Sequence, residues 1–131
     1  MNLDGALSLI HEDLPRLPWR EASHRLAEYI YAHHEEIKHL SYTRIAQIIE
    51  SNDPATLIGV TQYCAGDRLG LLKMKFELII EDESTELEDE DVFSAEQTGY
   101  LIHPETGEPI PGYERHVYPF FIPGKAVTHN D

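Results

Sequence analysis

The spacing of apolar residues changes partway along the chain, and this limits the fold more than any other feature. Ala22, Leu26, Ile30, His33 and Ile37 recur at intervals of four and three. That is one face of a 3.6-residue helix, and it predicts a helix over 21–38. Ser41 is a good N-cap for a second helix over 41–50, with Ile45, Ile48 and Ile49 as its buried stripe. Asp53 caps a third over 54–66. Pro54 sits in its first turn, Leu57, Val60 and Cys64 form its apolar edge, and Gly66 stops it. From Leu71 to Ile80 the period becomes two: Leu72, Met74, Phe76, Leu78 and Ile80 alternate with Leu71, Lys73, Lys75, Glu77 and Ile79. That is a half-buried strand. Helices followed by strands make an α+β chain.

The flanks are read from weaker signals. Residues 1–20 form an N-terminal arm with a short apolar period (Leu3, Leu7, Ile10) that Pro15 and Pro18 break. Trp19 is expected to anchor the arm on the body. Beyond the strand, Leu87, Val92 and Ala95 predict a short helix ending near Gly99. Tyr100–His103 and Glu108–Ile110 pair as a hairpin around the turn Pro104–Gly107. Tyr113–Pro123, aromatic and interrupted by Pro119 and Pro123, is expected as an irregular apolar strap, with 124–131 as a flexible tail. A length of 131 residues suits one domain, placed over 21–123.

Charge is unevenly placed. Ten Lys and Arg face 24 Asp and Glu, net −14. Residues 1–13 carry −3, residues 14–75 carry +1, and residues 76–131 carry −12. Eight acids fall in the eleven residues Glu81–Asp91. A run of this kind repels itself and is expected as an exposed loop leading into the acidic first turn of a helix. It lacks the ligand ladder of an EF-hand loop.

Several chemistries lack their residues. A single cysteine, Cys64, leaves no internal disulfide and no multi-cysteine metal site. No phosphate-cradling glycine loop and no H-E-x-x-H occurs. His33, Glu35, Glu36 and His39 are the densest set of potential ligands. On a helix, His33 with Glu36 or Glu35 with His39 would lie one turn apart. The simpler account puts His33 at the edge of the core and the acids in water. Cys64 reads as a small core residue, and His103, beside Pro104, as a structural hydrogen-bonding group. No catalytic residue, metal ligand or cofactor is therefore expected. No apolar run has membrane-spanning length and the start lacks signal-peptide order, so a cytoplasmic location is expected with no membrane partner.

Short helices separated by SND, then a strand and a later hairpin, resemble a winged helix-turn-helix. The residues that carry the likeness are YTRIAQIIESNDPATLIGVTQYCAG, LLKMKFELII and YLIHPETGEPI. It covers about residues 21–110. The resemblance implies a three-helix winged-helix-like core with a small antiparallel sheet or hairpin. Here an acidic insertion lies between the first strand and the hairpin. Residues 54–66 would take the recognition-helix position and Pro104–Gly107 the wing, which in this family implies DNA reading. The residues there are unsuited to it. No Lys or Arg occurs between Ile45 and Asp67, although phosphate contacts supply much of DNA affinity. Only Thr56, Thr61 and Gln62 could touch bases, and Glu105 and Glu108 would repel phosphate from the wing.

Winged helices also serve as protein-docking modules, and an acidic surface fits that use better. The expected function is therefore a non-enzymatic protein-interaction module, an accessory or regulatory subunit whose partner has a basic surface. Homodimer formation is a further expectation. The contact residues for the basic partner would be Glu83, Glu86, Glu88 and Glu90 with Tyr113, Tyr118, Phe120 and Phe121, since aromatic side chains concentrate interface energy. The competing expectation is that these rings close the domain's own core. One alternative is a DNA-binding regulator using Arg44, Thr56, Gln62, Arg68, Lys73 and Lys75 as a dimer or within a complex. Another is an acidic inhibitor that imitates nucleic acid.

Overall fold

The computed structural model describes residues 1–15 and 17–128. Its order is α1 (Leu3–Asp13), α2 (Leu17–His33), α3 (Tyr42–Ile49), α4 (Pro54–Ala65), β1 (Leu72–Ile80), β2 (Glu83–Leu87), α5 (Asp89–Thr98), β3 (Tyr100–Ile102), β4 (Pro109–Pro111), β5 (Val117–Pro123) and α6 (Lys125–Thr128). The class is α+β. One sheet has the order β2-β1-β5, and β3 and β4 form a separate antiparallel hairpin. The chain divides into two compact units. One holds Met1–Met74 and the residues from Phe121 onward, and the other holds Lys75–Phe120.

The first unit is helical. Ala6 and Ile10 of α1, Leu26, Ala27 and Ile30 of α2, Ile45 and Ile49 of α3 and Val60 and Cys64 of α4 share one core with Leu71 and Phe121. Within the expected N-terminal arm, Leu3–Asp13 thus forms a packed helix. Asn2 caps α1 by accepting from the Gly5 amide, and Tyr31 Oη donates to the Met1 carbonyl at 2.8 Å. Trp19 packs on this core. Ser41 and Asp53 cap α3 and α4 by accepting from Arg44 N and Thr56 N.

Helix α2 departs from expectation at both ends. It begins at Leu17, because Pro18 falls in the first turn, where no intrahelical N–H is needed. It ends at His33. Residues 34–39 leave the helix, and Leu40 instead exchanges two 2.8 Å hydrogen bonds with Phe121. The tail is ordered as far as it is described: α6 buries Val127. Residues 129–131 of the expected flexible tail lie outside the described residues.

The second unit has its own small core of Leu78, Leu87, Ala95 and Leu101, with Phe76, Ile80, Val92, Ile110, Tyr113 and Val117 packed around it. Strands β1 and β2 are antiparallel, in the register Phe76↔Leu87, Leu78↔Thr85 and Ile80↔Glu83. The strap expected over Tyr113–Pro123 is a 3-10 turn, Tyr113–Arg115, followed by strand β5. Pro119 and Pro123 are tolerated because β5 lies at a sheet edge.

Candidate docking surface

The acidic run is structured, which corrects the expected loop. Glu81 and Asp82 make the tight turn between β1 and β2, both with positive φ (50° and 68°). Glu83–Leu87 is strand, and Asp89, Glu90 and Asp91 fill the first turn of α5. Carboxylates at a helix N-terminus complement its dipole. Asp91 also accepts from the Glu88 backbone N–H at 3.0 Å. Across the strands Glu77 stands opposite Glu86, a like-charge pairing that is unfavourable alone. Lys75 Nζ lies 3.2 Å from Glu86 Oε1, and Ser84 Oγ donates to Glu77 at 3.2 Å, which offsets it. Of the four expected acidic contact residues, Glu83, Glu88 and Glu90 are exposed, and Glu86 is exposed but paired with Lys75.

The aromatic residues divide. Phe120 and Phe121 are 3% and 0% exposed, so they face the interior rather than a partner. Phe121 meets Tyr42 edge-to-face at 5.2 Å in the first unit. Tyr113 is half-buried against the second core, and its hydroxyl is shifted to a higher pKa by burial and then by Glu114 and Glu96. Tyr118 is 48% exposed, its hydroxyl donating to the Arg115 carbonyl at 3.2 Å.

The structure adds three exposed apolar residues to the expected contact set. Phe93 on α5 is 64% exposed, and Tyr100 and Ile102 on β3 are 53% and 51% exposed. Strand alternation explains the last two: Leu101 points into the core, which turns its neighbours outward. Their signal in the sequence is the Y-L-I run, whose alternation turns Tyr100 and Ile102 to one face. Asp91, Ser94 and Thr98 form one stripe of α5 at helical spacing. With Tyr100, Ile102 and Pro109 they line an open groove of about 600 Å³. Residues 75–120 around it carry thirteen acids against Lys75 and Arg115, a net charge of −11.

The residues of the DNA alternative are mostly engaged within the protein. Arg68 grips Asp13 with Nε and Nη2 at 2.9 and 3.0 Å, and Tyr63 Oη donates to the same carboxylate at 2.8 Å. These contacts, the Arg68 hydrogen bond foremost, hold the Asp13 carboxyl below its ordinary range. Lys75 is paired with Glu86. Thr56 is part of the Asp53 cap, with its hydroxyl donating at 2.7 Å. Thr61 is buried and donates to the Ile58 carbonyl, which removes it from the expected base-contacting set. Gln62 and Lys73 are exposed, as is Arg44, whose contacts are with Tyr29 and Gln47.

The remaining candidates are local. His33 Nδ1 is 3.6 Å from Glu36 Oε2, while Glu35 and His39 lie beyond the end of α2. No group of three or more His, Cys, Asp or Glu side chains able to hold a metal occurs among the described residues. His103 Nδ1 accepts from the amides of Glu105 and Thr106, so its role is to order the hairpin turn. Cys64 is fully buried, and burial pushes its thiol up to about 12. No helix among the described residues is long and apolar enough to cross a membrane. Set against protein-family models, curated proteins and solved structures, the chain matches none.

Proposed function

We propose that this chain is a non-enzymatic protein-interaction module, an accessory or regulatory subunit that docks through residues 75–120 on a partner with a basic surface. The observation that carries this reading is the placement of Tyr100 and Ile102, two large side chains turned outward by the register of the hairpin, beside an acidic helix turn. Exposed apolar groups rimmed by charge are a common form of protein contact. The acids supply long-range attraction to a basic partner, and the apolar groups supply short-range affinity. Docking is also the use of the winged-helix resemblance that this charge distribution favours.

The test is site-specific photocrosslinking of the full chain in its source cells. A photoreactive phenylalanine analogue at Tyr100 should yield a discrete adduct with one partner. The same analogue at Ile58, an exposed apolar position on α4, should yield none. Equal labelling from both positions, or none from Tyr100, contradicts the reading.

A further inference from the structure

A small cleft in the first unit collects cationic side chains within a strongly acidic protein. It is lined by Tyr29 and His33 of α2, by Glu36, Lys38, His39 and Leu40 of the following loop, and by Arg44 of α3, and encloses about 380 Å³. The loop is held at its end by the paired hydrogen bonds between Leu40 and Phe121.

Arg44 is fixed without being neutralised. Its Nη2 donates to Tyr29 Oη at 3.2 Å and its Nη1 to Gln47 Oε1 at 3.1 Å, and the guanidinium lies 5.3 Å from the Tyr29 ring centre. All three contacts are with neutral groups. Three other cations of this chain each meet a carboxylate: Arg25 meets Glu50, Arg68 meets Asp13, and Lys75 meets Glu86. In a chain with 24 acids and ten bases, an arginine held in place without a carboxylate keeps its full charge available. Lys38 makes no ion pair among the described residues and lines the same cleft. The one acid there, Glu36, lies toward His33 at 3.6 Å. Tyr29 Oη accepts from Arg44, which leaves its own O–H to donate. The cleft therefore offers a planar guanidinium, an ammonium and a phenolic donor to one ligand.

We propose that this cleft binds a phosphate group, free or as a small phosphomonoester. Arginine's fork suits two phosphate oxygens at once, and lysine adds a point charge. The proposal is independent of the docking reading, which rests on other residues.

The test is titration of the full chain with inorganic phosphate and with methyl phosphate at constant ionic strength, followed by NMR. Saturable shifts are expected at the rings of His33 and His39 and at the Arg44 side chain. Tighter binding of methyl phosphate identifies a monoester site, and tighter binding of inorganic phosphate a free-ion site. Arg44→Gln should weaken binding about tenfold or more, the scale of a charged hydrogen bond, and Arg44→Lys should restore only part of it. Arg44 also supports Tyr29, so Lys38→Gln is the second variant. Lys38 makes no ion pair with a described residue, so this change should weaken binding several-fold with an unchanged melting temperature. Lys125→Gln should leave binding unchanged. Equal shifts with chloride at the same ionic strength, no saturation, or wild-type affinity in both Arg44→Gln and Lys38→Gln would overturn the proposal.

Discussion

The ring of Trp19 occupies the space that a side chain on Gly59 would need, so helices α2 and α4 approach each other through a position where only glycine fits. A β-carbon at residue 59 would clash with the outer edge of the six-membered ring of the indole. Gly59→Ala should therefore destabilise the protein by about 1–3 kcal/mol, the cost of overpacking. This occurs although alanine is the better helix former by about 1 kcal/mol. Urea unfolding of the variant measures the balance. Adding Trp19→Leu should recover part of the loss, and a stabilised Gly59→Ala would show that the ring moves aside freely.

Asp13 joins α1 to the end of α4 through Arg68 and Tyr63. Its carboxyl is held below its ordinary range by these contacts, and Asp53 is held low by Thr56. A group with a lowered folded-state pKa adds stability above its unfolded pKa, and this is lost as pH falls through the folded value. The unfolding midpoint should thus be level near neutrality and fall below about pH 4. Asp13→Asn and Asp53→Asn should each lower the neutral-pH midpoint and flatten the acid decline. Wild-type pH profiles in both variants would show that these contacts contribute nothing.

The turn between β1 and β2 is built from residues poorly suited to it. Positive φ at both central positions favours Asn-Gly, yet Glu81 and Asp82 stand there. The double change Glu81→Asn with Asp82→Gly should raise stability by about 1 kcal/mol or more, and removing two charges from the acidic run adds to this. A thermal melt checks it. A lowered melting temperature would mean that these side chains make contacts that outweigh the backbone preference.

Ser23 has a fully buried hydroxyl that lacks a hydrogen-bond partner, apart from a weak contact with the Cys64 thiol. Ser23→Ala should be neutral or stabilising by about 1 kcal/mol. The Cys64 thiol, pushed up to about 12 by burial, should resist alkylation in the native protein at pH 8 and react only through unfolding. Its labelling rate should rise in parallel with the unfolded fraction in urea. Rapid labelling without denaturant would contradict its burial.

How much of this was legible in the sequence depended on the range of the signal. Helices α3 and α4 were readable because Ser41, Asp53 and Pro54 act within one turn, and β1 because its alternation covers ten residues. Strand β2 was hidden: Glu83 and Glu86 disguise it, and only Leu87 points fully inward. Strand β5 was hidden by Pro119, since its place at the sheet edge is a tertiary fact. Pro18 read as a breaker because a first-turn proline and a helix-ending one look alike locally. The Asp13–Arg68 contact spans 55 residues, and no periodicity reports it. Part of the candidate docking surface was visible as charge. Its apolar half, Tyr100 and Ile102, needed the hairpin register to show which residues face outward.

Docking through residues 75–120 is open to test by paired affinity capture. The full chain and its Tyr100→Ser, Ile102→Ser double variant would be expressed at equal levels in the source cells and recovered under the same mild salt. Both substituted side chains are half-exposed, so the variant should keep its circular dichroism spectrum and nearly its melting temperature. The account predicts that the wild-type chain retains one partner in stoichiometric amount and that the folded variant loses it. Recovery of the same partner in equal yield by the double variant would contradict the account.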